Sequence, residues 1–403
     1  MNRDKNAPNV PTLRFPNYNG EWCASPMDKV CTFHKGYGIS KENLSSEGVP
    51  CVLYGELYTT YKTAIAKHIR SKTKLEPTTL FHSERNDVII PCSGETAEDI
   101  ATSVCIPYDD VLLGGDLTVI RSELDGAFLS NQINSVRKYD IARVAQGKSI
   151  VHLQADELKK IIIAYPSKEE QQKIACFIDK LDDRIECQNK IISDLKVLKK
   201  ELMDYILNTC DFIELSIKDL IDCGFARIIK ASEMKKFNGT RKYLSTSSIG
   251  ENGIEEVESV ITYTDRPSRA SMLPIKGSIW FAKMKNSIKV YQSTDGDENH
   301  YILSTGFYGL LCDETKVNSR WIIELFKSDY FNTQKDKFSE GSSMSGIKDS
   351  QLADITLKVF SDKKQEIYHT NNIQNLSKKI QLEKDTLEIL LKQKQFFLNA
   401  MFI

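Results

Sequence analysis

Basic side chains interleaved with aromatic ones recur in separate parts of this chain, a combination suited to the phosphates and base edges of DNA. From Leu57 to Lys74 there are five basic residues, Lys62, Lys67, Arg70, Lys72 and Lys74, and no acid. From Arg266 to Lys289 there are six, Arg266, Arg269, Lys276, Lys283, Lys285 and Lys289, again without an acid. A third cluster sets Arg227, Lys230, Lys235, Lys236, Arg241 and Lys242 against the single acid Glu233. Tyr58, Tyr61, Phe237, Tyr243, Trp280 and Phe281 lie among them. Any one such run can be an ordinary solvated face. Their occurrence in both halves favours DNA, and the candidate contacts are the five of the first run, Arg227, Lys230, Arg241, Lys242, Arg266, Arg269, Lys283, Lys285 and Lys289.

Residues for covalent chemistry are not assembled in any recognisable motif. Methyl transfer to a base needs a cofactor-binding glycine loop and an Asn/Asp-Pro-Pro-aromatic element, and neither is present. Gly36-Tyr37-Gly38 opens like a dinucleotide loop but lacks the third glycine and a preceding apolar strand, and reads as a loop tip. No GxxxxGK[ST] exists for a nucleotide-driven motor. Asp140 with Glu157-Leu158-Lys159 meets the loose pattern of a metal-dependent nuclease. The internal repeat described next places Gln351-Leu352-Ala353 at the second element, so only the leucine is common. The six histidines have no nucleophile motif around them. No metal site, cofactor or catalytic residue is expected.

The elements that would position the basic runs are organised by a duplication. Two stretches, about 168–207 and 362–403, carry apolar residues in alternating steps of three and four, the stripe of a coiled coil. In the first the seam is Ile178, Leu181, Ile185, Ile192, Leu195 and Leu202; in the second it is Ile373, Leu376, Ile380, Leu387, Leu390 and Phe397. An offset of 195 places Ile178 on Ile373, Ile185 on Ile380, Leu195 on Leu390 and Leu202 on Phe397. The polar interruptions coincide too, Gln188 on Glu383 and Lys199 on Lys394. Upstream, at an offset of 194, Gly147, Ser149, Ile150, Leu153, Leu158, Ile161, Ile163, Ser167 and Gln171 fall on Gly341, Ser343, Met344, Ile347, Leu352, Ile355, Leu357, Ser361 and Gln365. Neither stripe can be buried alone, so the helices are expected to pair antiparallel, as a spacer of roughly 50–60 Å at 1.5 Å per residue. Such a rod would span on the order of 15 base pairs.

Each helix is preceded by a globular segment of mixed strands and helices. Val88–Pro91, Val111–Leu113 and Leu117–Ile120 read as strands in the first, Ser278–Ala282 and Tyr301–Leu303 in the second, where 319–327 reads as a helix. The expected class is α+β: two globular heads and two long antiparallel coiled-coil helices, related by a pseudo-twofold repeat. The boundaries are 1–16 for an N-terminal extension, 17–166 for the first head, 167–210 for the central helix, 211–360 for the second head and 361–403 for the C-terminal helix. Outside the lead-in segments the heads share little sequence, so a duplicated frame carries two different surfaces.

Bulk properties agree with a globular chain. Hydrophobic residues make up 41% and charged ones 27%, and the formal net charge is -1, which disfavours indiscriminate coating of nucleic acid. No apolar run is long enough to span a membrane, and the polar start, broken by Pro8 and Pro11, does not read as a secretory signal. The ten cysteines are scattered without a CxxC pair, which suggests reduced thiols and a cytoplasmic location.

Several segments resemble the specificity subunits of type I restriction–modification enzymes. Pro11-Thr12-Leu13-Arg14-Phe15-Pro16 with Gly20-Glu21-Trp22 is similar to their usual start. Residues 48–57 (GVPCVLYGEL) and 86–96 (NDVIIPCSGET) resemble their first target recognition domain. Tyr165-Pro166-Ser167 followed by Glu169-Glu170-Gln171-Gln172-Lys173-Ile174-Ala175 is similar to the Pro-x-x-x-Glu-Gln-x-x-Ile element that opens their central conserved helix. The second copy departs from it, with Phe360 for Pro166 and Lys364 for Glu170. The resemblance implies two target recognition domains on a helical spacer, each reading half of an asymmetric, bipartite site in double-stranded DNA. It further implies two methyltransferase subunits that carry S-adenosylmethionine, and restriction subunits that join through them. The chain itself would be non-catalytic. The competing reading is a non-catalytic coiled-coil adaptor whose two heads bind proteins.

Overall fold

The computed structural model describes residues 9–147, 151–250, 253–338 and 347–403. Ser149, Ile150, Gly341, Ser343 and Met344 of the repeat lie outside the described residues. The chain forms two compact units, residues 1–190 with 385–403, and residues 191–384. The long helices Lys168–Thr209 and Lys363–Met401 each contribute one part to each unit.

Both helices are free of glycine and proline and begin on a side-chain cap. Ser167 Oγ accepts the Glu170 N–H at 3.4 Å, and Asp362 Oδ1 accepts the Lys364 N–H at 2.9 Å. At ~1.5 Å per residue they are about 63 and 58 Å long. In the first unit the start of one helix packs against the end of the other. Ile174 and Ile178 meet Leu398, Met401 and Phe402, and the Phe177 and Phe397 rings lie edge-on at 4.9 Å. In the second unit Met203, Ile206 and Leu207 share a core with Ile373. Ile192, Ile380 and Leu390 are buried; Leu181, Ile185, Leu195, Leu202, Leu376, Leu387 and Phe397 are half-buried.

Each head is built on an antiparallel four-stranded sheet with the same order. In the first head it runs Cys31–Lys35, Leu117–Ser122, Asp87–Pro91, Val104–Ile106. In the second it runs Ala226–Ile228, Phe307–Cys312, Ile279–Ala282, Val290–Gln292. A second, smaller sheet in each contains one parallel pair: Val49–Val52 with Leu112–Leu113, and Arg241–Leu244 with Tyr301–Ser304. The helix expected at 319–327 is Ser319–Lys327, and Gly126–Asn134 is its counterpart. The heads therefore share a topology that their sequences conceal.

The repeat is confirmed by matched bonds and corrected by them in one place. Leu158 and Leu352 are both fully buried; Ile161 O accepts from Met27 N–H, and Ile355 O from Ile217 N–H. At the helix starts, however, the two N-caps are Ser167 and Asp362, an offset of 195. Gln171 Oε1 accepts the Asp125 N–H at 2.8 Å, and Glu366 Oε1 accepts the Asn318 N–H at 3.1 Å. Asp125 and Asn318 cap the matching helices of the heads. Ser167 thus corresponds to Asp362, not Ser361, and Gln171 to Glu366, not Gln365. The extra residue lies in the strand-to-helix junction, where a backbone change disturbs neither the ladder nor the cap.

Two ion pairs, each with a buried carboxylate, lie at the Lys199 and Lys394 interruptions of the seam. Lys394 reaches Asp182 of the other helix at 2.5 Å, and Lys199 reaches Glu324 of the second head at 2.8 Å. Burial raises the Asp182 carboxyl pKa, against the pull of Lys394. Pairs of this kind contribute register more than stability. No described helix is long and apolar enough to cross a membrane.

Candidate nucleic-acid interface

The small sheet of each head turns one face inward and one outward, because side chains alternate along a strand. On the strand Ser71–Thr73, Thr73 is buried and Lys72 is exposed, opposite Ser45 on one side and Pro50 on the other. On Arg241–Leu244, Tyr243 is buried and Lys242 is exposed, opposite Val260 and Tyr301. Each head thus presents a lysine in the middle of an outer sheet face, with different residues beside it.

The first basic run divides once folded. Arg70 and Lys72 are exposed and carry no ion pair among the described residues. Lys74 meets Glu47 at 3.3 Å with both groups largely in solvent, and the Lys62 amine rests on the Tyr58 carbonyl at 3.2 Å. Lys67 turns away, pairing with Asp179 at 2.7 Å and with Asp183 on the first long helix. It ties its loop to the helix. Arg121, outside the run, is consumed by Asp87 and Glu84 at 2.9 and 2.5 Å.

In the second head several candidates also have structural partners. Arg227 pairs with Glu233 at 2.8 Å, Lys283 with Asp349 at 2.9 Å, and Lys289 donates to the Thr246 carbonyl at 2.8 Å. The Arg241 guanidinium lies 4.3 Å from the Phe237 ring centroid, and burial lowers its pKa. Arg266 lies 4.2 Å from that of Tyr263 and donates to the Ala270 carbonyl. Such guanidinium–ring stacks hold the cation in one orientation. Lys230, Lys242, Arg269 and Lys285 are exposed, and no side-chain partner holds Arg269 or Lys285 among the described residues. A shallow cleft gathers Lys235, Lys236 and Arg241 with Glu233 and Glu298.

Sequence reading missed residues whose role depends on the fold. At the end of the first head's large sheet a polar cleft gathers His34, Lys35, Cys92, Thr118, His152 and Lys159, brought from five separate segments. No local signal joins them.

The residues of the loose nuclease pattern are engaged in local ion pairs. Asp140 pairs with Arg137 and Arg143, Glu157 with Lys160 and Lys159 with Asp156, all within their own short helical segments. No group of three or more His, Cys, Asp or Glu side chains among the described residues could hold a metal. A Cβ on Gly36 would sit 2.3 Å from the Gly114 carbonyl oxygen, and Gly38 has φ +85°, so both glycines serve the loop's close packing and turn.

The element that resembles the central conserved helix also has a structural account. Arg14 forks onto Glu170 through Nε and Nη2, both at 2.7 Å, with Glu170 almost wholly buried. Leu13 N–H donates to the Ala400 carbonyl at 2.9 Å.

Residues 19–197, the first head and most of its helix, match the family described as type I restriction modification DNA specificity domain. No curated protein sequence matches the chain. Among solved structures, the chain is similar to the S subunit of a type I restriction-modification system from M. genitalium. The TM-score is 0.63 at 15% identity, covering 98% of this chain and 99% of that one. It is also similar to a chain from a study of complex assembly and conformational transition of the type I R-M system. There the TM-score is 0.56 at 12% identity, with 94% and 97% covered. Residues 19–197 thus match the type I restriction modification DNA specificity domain, and the whole chain has the fold of an S subunit of those systems.

Proposed function

We propose that this chain is the DNA-binding specificity subunit of a type I restriction–modification complex, reading a bipartite, asymmetric target with one half per head. The observation that carries the proposal is one strand order used in the large sheet of both heads, beside small sheets whose outer faces differ, with Ser45, Lys72 and Pro50 side by side in one and Val260, Lys242 and Tyr301 in the other. A shared frame carries two heads, and the unlike side chains on their outer faces give each a different preference.

The chain supplies specificity and its partners supply the chemistry. Two methyltransferase subunits would dock on the helical frame and bring S-adenosylmethionine, restriction subunits would join through them, and the complex would act on double-stranded DNA in the cytoplasm. No cofactor is assigned to this chain.

The test is sequencing-based mapping of methylated bases in cells that express the cognate methyltransferase with and without this chain. A split, asymmetric motif that disappears with the chain supports the proposal. Methylation that is indifferent to the chain refutes it and leaves an adaptor with two protein-binding heads. Lengthening both long helices by one turn should change the gap between the half-sites while leaving their sequences alone.

A further inference from the structure

Loop 283–289 of the second head, between the strands Ile279–Ala282 and Val290–Gln292, is held by its backbone at its entry, middle and exit. At its entry Lys283 N–H donates to the Gly306 carbonyl at 2.9 Å, and Lys283 O accepts from Ile347 at 3.2 Å. At its exit Lys289 O accepts the Ala282 N–H at 3.0 Å. Its middle is gripped by two adjacent residues of the helix Asp329–Lys337. Asp336 Oδ1 accepts the Asn286 N–H at 3.2 Å, and the Lys335 amine donates to the Ser287 carbonyl at 2.5 Å. Asn286 is held at φ 54°, a conformation uncommon for a side-chain-bearing residue.

Lys335 is 1% exposed. Burying an ammonium group is unfavourable, and burial lowers its pKa to about 8, with Asp336 opposing the shift. A surface loop of no consequence would not need a buried cation beneath its centre. What the grip leaves outward is Met284 and Ile288, 51% and 50% exposed, with the exposed Lys285 and Asn286 between them. The Lys285 and Asn286 side chains have no partner among the described residues, whereas Lys283 and Lys289 are tied down.

Ile288 also borders a cleft walled by Lys196, Lys199, Lys200, Lys327 and Lys384. Its acids are fewer, Asp204, Glu324 and Asp329, so the cleft has an excess of positive charge beside the loop. The loop combines the groups that distinguish bases: an amide that can pair with adenine in two places, an ammonium for guanine, and apolar side chains for the thymine methyl. A rigid backbone lowers the ordering cost of making those contacts.

We propose that loop 283–289 is the base-reading loop of the second head, with Lys285 and Asn286 at the base edges and Lys335 as the positioning residue that presents them. This rests on the reading that the heads bind DNA.

The test maps the methylated motif in cells expressing the full complex with the natural chain, without it, and with Lys285→Ala/Asn286→Ala or Lys335→Met. The double variant is expected to lose roughly tenfold or more of the discrimination at one or two positions of one half-site, leaving the other half-site intact. Lys335→Met is expected to relax the same positions while the melting temperature does not fall, and to speed hydrogen exchange at the amides of 286–288. A merely structural lysine would lower the melting temperature and leave the motif unchanged. An unaltered motif in the double variant, or an even change across both half-sites, overturns the loop assignment alone. Methylation that persists without the chain overturns the DNA reading and the loop together.

Discussion

Replacing Lys335 by methionine should make the second head's stability less dependent on pH, by an amount the buried amine allows to be worked out. Its folded pKa is about 8, against an ordinary 10.5. Below pH 8 both folded and unfolded chains hold the proton, and the folded state bears the full penalty of the buried charge. Between about 8 and 10.5 the unfolded chain holds a proton that the folded one has shed, so stability rises with pH through that window. At 1.36 kcal/mol per unit the gain is about 3 kcal/mol. Methionine has similar volume and no charge, but it leaves the Ser287 carbonyl without its donor, a loss of roughly 1–3 kcal/mol. The variant is therefore expected to be as stable as the natural chain or more so at pH 7. Urea unfolding of both at pH 7, 8, 9 and 10 checks this, because all other groups titrate alike in the two proteins. The difference in unfolding free energy should shift by about 3 kcal/mol toward the natural chain as pH rises. Parallel curves would refute the reasoning.

Other substitutions separate structural from DNA-contacting roles. Lys72→Ala should weaken DNA binding and reduce the slope of log affinity against log salt by about 1, whereas Lys67→Ala should leave that slope unchanged, as read by fluorescence anisotropy across a salt series. Lys394→Met strands the Asp182 carboxylate in the helix seam and should cost about 3 kcal/mol by denaturant titration, while Asp182→Leu with Lys394→Met should recover most of it. Gly309 lies opposite Trp280, and a Cβ there would stand 2.3 Å from the buried indole. Gly309→Ala should accordingly lower the melting temperature, costing roughly 1–3 kcal/mol.

Whatever repeats along the chain can be read from its residues alone. The alternation of three and four in Ile174, Ile178, Leu181 and Ile185 specifies a helix and its buried edge, because a helical face recurs locally. The 195-residue shift between the stripes exposed the duplication for the same reason. Tertiary structure decided what depends on partners distant in the chain. Lys67 and Lys72 are alike in the sequence, but the acids that claim Lys67 stand more than a hundred residues away, at Asp179 and Asp183. Lys335 looks like one more solvated residue of a polar helix until the 283–289 loop closes over it. The common strand order of the heads was hidden as well. A ladder constrains backbone groups and the inward face, while Lys72 and Lys242 stand on outward faces free to differ in every neighbour. Periodicity is a property of one segment and can be read there. A binding surface is made of side chains from several segments, and only their convergence in space shows which are held and which are left to meet a ligand.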